Sequence, residues 1–455
     1  MPTWIDDAVF YHIYPIGLLD APSTSDAGEG IAHRLRSLHD WSDHIRALGC
    51  NALYLGPVFQ SSTHGYDTTD YTRVDRRLGD NRDLTELVTH YHDAGIQIVL
   101  DGVFNHVGRD FPAFQDVLEH GEGSPYRDWF ADLDFAQQSP LGDPFAYMAW
   151  AGNFELVKLN LANPDVRTHL FDAVRMWFAE FGIDGIRFDA ADSIDHDFLH
   201  EMAVVCREAK PDCWLLGEVV HGDYREWAGE GMLDSCTNYE CFKGLYSSFN
   251  DRNMHEIAWS LNRQFGPEGI YRDLRLYAFA DNHDVNRVAS LLNRPGDLAS
   301  LYALLFTIPG VPSIYYGSEW GIPGEKHGGN DAPLRPPFSW PVSVDQIPEP
   351  WLAPHIALLA EIRNDDPALR HGTYSQLHVD AEQLAFCRET ERNVAIVLVN
   401  AATAGVSLTL DVRIEHGCVL VDRLDPSVST TVQGGRIEIT LAPNSARVMT
   451  GRTPS

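Results

Sequence analysis

Between residues 9 and about 316, short runs of β-branched and aromatic residues alternate with stretches whose apolar positions recur at helical spacing. That alternation predicts βα units repeated around a parallel sheet. In one unit Asn163 is expected to cap a helix with Pro164 at its first position. Val166, Leu170, Val174, Trp177, Phe178 and Phe181 form its apolar stripe, Gly182 stops it, and a strand over 185–188 follows. An earlier unit reads the same way. Asp83 and Glu86 are its capping pair, Leu84, Leu87, Val88 and Tyr91 its buried stripe and Gly95 its stop, before a strand over 96–103. Such runs place strands near Phe10, Ala52, Ile98, Ile186, Leu215, Thr237, Leu276 and Ile314. Eight of them predict an α/β fold built on a closed (β/α)₈ TIM barrel, with an open doubly wound sheet as the competing architecture.

Two segments break the pattern. Residues 105–158, after the third strand, are too long for an ordinary βα loop and rich in Gly, Pro, Asp and aromatics, which predicts a small inserted subdomain. Beyond about residue 371 the runs alternate strictly, as at 394–399, 406–410 and 437–441, and predict a C-terminal antiparallel β-sandwich. The expected organisation is a barrel from 1–104 and 159–370, an insert over 105–158 and a sandwich over 371–455. A chain of 455 residues exceeds what one core usually serves, in keeping with that division.

Composition narrows the partners. A net charge of −31 argues against nucleic acid and anionic membrane surfaces, because both need a clustered basic face. No apolar run is long enough to span a bilayer, and the first twenty residues lack Lys and Arg, so no secretory signal is expected. Seven scattered cysteines read as reduced thiols rather than a disulfide framework, which predicts a cytoplasmic protein.

In a barrel the working groups follow the carboxyl ends of the strands. Four such places hold polar residues: 101–106, 187–192, Glu218 with His221, and 281–284. Splitting a glycosidic bond needs one carboxylate to attack or to activate water and a second, protonated, to release the leaving oxygen. Asp189 and Glu218 are placed to supply them. Arg187, two residues before Asp189 and on the same side of its strand, is expected to hold that carboxylate ionised. Glu218 follows the apolar run Trp214, Leu215 and Leu216, whose desolvation would raise its pKa and keep it an acid.

The segments DGVFNH (101–106), GIRFDAAD (185–192), LLGEV (215–219) and FADNHD (279–284) resemble, in order and approximate spacing, the four signature regions of glycoside hydrolase family 13, the α-amylase family. YHIYP (11–15), HGYDTTDY (64–71), VKLNLANP (157–164), YYGSEWG (315–321) and GGNDAPLR (328–335) extend the resemblance. It implies a retaining hydrolase with Asp189 as nucleophile, Glu218 as general acid/base and Asp284 supporting the transition state. It further implies that His106 and His283 hydrogen-bond the sugar, that Tyr66 stacks on it and that Asp67 with Arg335 binds its non-reducing side. Asp101 reads as a brace for Arg187. No cofactor is required; where family members bind calcium, the residue matching Asn105 is one ligand.

Departures from the family pattern bear on substrate. Endo-amylases usually carry Lys-His where this chain has Asp192 and Ser193, which disfavours long starch. VKLN and GEVVH, with His221, are similar to the corresponding runs of cyclomaltodextrinases and neopullulanases, which act on small or cyclic α-glucans. The first barrel strand begins near residue 9, without the extra amino-terminal domain of that group, so a homodimer of their kind stays open. A compact member most resembles hydrolases of cyclic maltosyl-maltose. The expected substrate is thus a short or cyclic α-glucan with α-1,6 or α-1,4 links. The alternatives are a transglycosylase of the same chemistry and a non-catalytic sugar-binding relative.

Overall fold

Eight parallel strands, β1 (Phe10–Ile13), β2 (Ala52–Leu55), β3 (Gln97–Gly102), β4 (Gly185–Phe188), β5 (Trp214–Gly217), β6 (Ser235–Cys236), β7 (Tyr277–Phe279) and β8 (Val311–Tyr315), pair in chain order in a computed structural model that describes residues 2–25 and 30–452. The outermost ends of the expected barrel and sandwich segments, residues 1 and 453–455, lie outside the described residues. β8 pairs with β1, and a parallel bridge between Thr237 and Tyr277 joins β6 to β7, so the sheet closes on itself. That closure rules out the doubly wound alternative.

Period-two geometry decides what each strand residue does. Phe10, Tyr54, Val99, Trp214, Leu216, Tyr277 and Phe279 gather in one buried cluster inside the barrel, while Tyr11, Leu53, Leu55, Ile98, Leu100, Ile186, Leu215 and Ile314 belong to the cluster beneath the helices. Asp101, Arg187 and Asp189, and Glu218 after β5, continue the inward parity of their strands. A one-residue slip in any of them would send its functional group under a helix instead.

The two units read in detail form as expected, with two differences. Asn163 accepts hydrogen bonds from the N–H groups of Asp165 and Val166, and Gly182 ends the helix at φ 74°. Its last turn, Trp177–Phe181, is a π turn; the wider turn accompanies burial of Trp177, Phe178 and Phe181 together, and Trp177 stacks on Phe59 at 4.2 Å. The earlier helix, Asn81–Asp93, buries Leu84, Leu87, Val88 and Tyr91, but its capping box is Asp80 with Asp83, one turn before the expected Asp83 and Glu86. Asp83 is buried against His33 and Arg36, and this tertiary pairing draws the helix start back toward it.

After β3 the chain forms a three-stranded antiparallel sheet from His106–Gly108, Asn153–Lys158 and Ala149–Trp150. Arg109 clamps this region through both oxygens of Asp143, at 2.6 and 2.7 Å. At the carboxyl terminus a six-stranded antiparallel sheet faces a two-stranded one, Val406–Asp411 with Arg436–Leu441. Alternation again divides the labour: Ile396, Leu398 and Met449 face the small sheet with Leu408, Leu410 and Ile439, while Phe386, Val397, Val399 and Val448 pack toward the barrel.

Candidate active site

Arg187 is the hub of the carboxyl-end face. It is 3% exposed and touches three carboxylates: Nη1 lies 2.9 Å from Asp101 Oδ1 and 2.8 Å from Asp189 Oδ1, and Nη2 lies 2.8 Å from Glu218 Oε2. One guanidinium fork therefore brings Asp189 and Glu218 to face a common point from neighbouring strands. Asp101 is bound further by the hydroxyls of Tyr54, at 2.7 Å, and Tyr66, at 2.9 Å, which makes it the brace expected of it. Removing Arg187 would leave these buried carboxylates uncompensated, a change that typically costs about 3–5 kcal/mol.

Backbone geometry contributes as well. Directly after Asp189, Ala190 adopts a left-handed conformation, φ 46°, rare for a residue with a Cβ. The turn directs its N–H to Glu218 Oε2 at 2.9 Å. Nothing in local sequence signals this, because an alanine in that position reads as ordinary helix.

Electrostatics set the protonation of the two acids. Burial pushes both Asp189 and Glu218 above the usual carboxylate range, with Arg187 pulling both down and neighbouring carboxylates pushing them up. Arg187 is where the sequence places it and lowers Asp189 as expected, while burial and the neighbouring carboxylates raise it by more. Both carboxyls therefore hold their protons more tightly than a solvated carboxylate would. Asp284 behaves in the opposite way. Lost solvation raises it, but His283, with Nε2 2.9 Å from Oδ2, and Arg335, with Nη2 3.0 Å from Oδ1, outweigh that and hold it well below the ordinary range.

Around the carboxylates lies an aromatic shelf. Tyr14, His283 and Tyr66 are nearly parallel, at 9° and 8°, and Arg335 sits 4.4 Å over the Tyr14 ring. Tyr66 bonds to His283 Nε2 through its hydroxyl. His106 stacks on Trp150 of the inserted sheet at 5.4 Å; its Nε2, 4.0 Å from Asp189 Oδ2, has no hydrogen-bond partner, and burial pushes its pKa down to about 3, so it is neutral. His283 Nδ1 and Asp67 Oδ1 are likewise buried without a partner.

Asp67 accepts from the Thr63 hydroxyl at 2.6 Å, and Arg335 reaches Asp284 and Asp331. His221 is exposed, three residues beyond Glu218 and outside the hydrogen-bonded network. Sequence reading missed Tyr239, whose hydroxyl lies 3.4 Å from Glu218 Oε1 and accepts from Asn282, and also His12, stacked on Tyr54 at 4.2 Å. Tyr239 follows β6, whose Ser235 and Cys236 form no apolar run that would have marked it. At Asn105 the buried Oδ1 has no partner, yet the one cluster of ionisable ligands among the described residues, His33 with Asp80 and Asp83, lies at the helix cap described above.

Three acids gathered at the carboxyl ends of barrel strands suit glycosidase chemistry, which needs a nucleophile, an acid/base and transition-state support. Residues 25–351 match the family model for the α-amylase catalytic domain, and the chain belongs to the α-amylase family. It is a glycoside hydrolase acting on α-glucans. A cyclomaltodextrinase from Bacillus sp is 33% identical over 439 residues, covering 90% of this chain and 75% of that protein. A solved cyclomaltodextrinase superposes with TM-score 0.86 at 29% identity, over 99% of this chain and 79% of that one. The ligand-free cyclic α-maltosyl-(1→6)-maltose hydrolase from Arthrobacter globiformis does so with TM-score 0.82 at 28% identity, over 99% and 100%. No helix among the described residues is long and apolar enough to cross a membrane.

Proposed function

We propose that this enzyme hydrolyses short or cyclic α-glucans, joined by α-1,6 or α-1,4 links, by double displacement with retention of the α-configuration. Asp189 attacks the anomeric carbon and expels the leaving oxygen, to which Glu218 gives its proton. Glu218 then takes a proton from water, which releases the β-glycosyl-enzyme as the α-product. The observation that carries this reading is the single Arg187 fork holding both carboxyls at 2.8 Å, since retention needs two acids close enough to act from opposite faces of one sugar. Asp284, kept anionic, bonds the sugar hydroxyls and favours the flattened ring, with His106 Nε2 and His283 Nδ1 as further contacts. Asp67 and Arg335 take up the non-reducing end, and Tyr66 supplies an apolar face.

A small substrate is favoured by Asp192 and Ser193 standing where polymer-cleaving relatives carry a basic pair, and by the named substrate of the Arthrobacter globiformis enzyme. The seven cysteines are all buried and free, which supports a cytoplasmic location. Nuclear magnetic resonance of the first product formed tests the stereochemistry: α-anomer is expected, and initial β-anomer would overturn the double displacement. Chromatography of products from cyclic maltosyl-maltose, cyclodextrins, panose and linear maltooligosaccharides tests the substrate. Soluble starch turned over as fast as the small rings would overturn the size assignment.

A further inference from the structure

A cavity of about 490 Å³ opens between the barrel and the C-terminal sandwich. Its lining residues Arg275, Pro309 and Gly310 precede β7 and β8, and Gly372, Thr373 and Tyr374 begin the sandwich. The catalytic carboxyls follow their strands, so this cavity lies at the opposite end of the barrel. Its walls hold Arg272, Arg275, Arg370 and Arg388, a concentration of cations in a chain whose net charge is −31, with His371, whose pKa burial lowers, beside them.

Carboxylates offset only part of that charge. Arg275 lies 3.2 Å from Asp6, Arg370 is bonded to Asp7, and Arg272 sits beside the exposed Asp273. Arg388 is buried and spends its donors on the carbonyls of Gly372 and Thr307, at 2.7–3.2 Å. The buried Arg363 behind it bonds only the carbonyls of Phe306, Leu369 and Gly310. Burial first, and neighbouring guanidinium groups second, push both down to about 9, which leaves them cationic at neutral pH. Two donors at this cavity have no partner: the hydroxyl of Tyr374, which is 3% exposed, and Nε of Arg370.

Like charges crowded in a poorly solvated place repel one another unless an anion joins them. Guanidinium forks with a phenol donor are the chemistry that recognises phosphate, and the cavity has the size of a small-metabolite site. We propose that this cavity binds a small phosphate-bearing anion, free or as the phosphate of a sugar ester, and that binding ties the barrel to the sandwich. The inference stands apart from the substrate assignment, since none of its residues belongs to the catalytic face.

Thermal unfolding and isothermal titration of the full chain with inorganic phosphate, a hexose phosphate, glucose and sodium chloride at matched ionic strength test it. Phosphate is expected to raise Tm saturably beyond the chloride control, with glucose inert. An equal response to both phosphates assigns a free-anion site, and a larger one to the hexose phosphate assigns a sugar ester. Arg272→Gln should weaken the affinity about tenfold, the size expected for one charge-assisted hydrogen bond. Asp273→Asn should tighten it, and Asp189→Asn should leave it unchanged. A phosphate response no larger than that of chloride overturns the proposal. So does one that survives in Arg272→Gln with Arg275→Gln, or one that disappears in Asp189→Asn.

Discussion

At the scale of single residues, the site trades stability for chemistry. Asp189 and Glu218 both have folded pKa values above their unfolded ones. The stability linked to their protonated forms is complete below the unfolded carboxylate pKa, about 4, and is lost as pH rises through the folded values. At neutral pH the buried charge therefore weakens the fold. Asp189→Asn should abolish release of reducing sugar while raising Tm at pH 7, on the order of 2 °C, and that gain should shrink as the pH of the melt falls toward about 4. Asp284, whose pKa is depressed, has the reverse sign: its contribution is present above the unfolded value and lost as pH falls through the folded one. Asp284→Asn should lower Tm at pH 7, and the deficit should close in acid. For Glu218→Gln, kcat/KM should fall by about 10²–10⁴, and the alkaline limb of its pH profile, which reports loss of the acid's proton, should disappear.

Elements hold these residues through close backbone approaches. A Cβ on Gly185 would stand 2.3 Å from the Trp214 carbonyl oxygen, which is backbone and cannot move aside. Gly185→Ala should therefore push β4 from β5 and misplace Arg187, lowering both Tm and kcat, whereas a helix-surface Gly→Ala would be mild. The helix feeding β4 depends on Asn163, which caps it and also donates to the carbonyl of Asp128 in the segment after β3. Asn163→Ala should cost about 1 kcal/mol in urea unfolding. Neither change touches a catalytic atom.

In the whole molecule the barrel and the sandwich share a core. Helix Asp297–Thr307 is buried on every side, and only a helix enclosed all round tolerates that composition. It lies against sandwich strands Asn393–Asn400 and Ser445–Arg452. A chain ending at residue 371 would lose Phe386, Val397 and Val448 from the shared core and expose Leu298, Leu301 and Leu305 of this helix. It should bind a hydrophobic dye and aggregate rather than fold as a free barrel, a result that size-exclusion chromatography reads directly.

Much of this was legible along the chain because strand alternation, helix caps and the placement of polar residues after apolar runs are local properties. The eight strands, the stripe from Val166 to Phe181, and Asp101, Arg187, Asp189, Glu218 and Asp284 all emerge from them. Where local rules compete with tertiary contacts they misplace detail, as at Asp80, where burial of Asp83 against His33 and Arg36 moved the cap. The sequence by itself determined the alternation that closes a barrel and the acids that stand at its mouth. Only the tertiary structure decided which groups meet: Tyr239 beside Glu218, Arg335 on Asp284, and Arg187 outweighed by burial. The physical reason is that proximity and desolvation belong to residues far apart in the chain, and no local pattern encodes how much water is left between them.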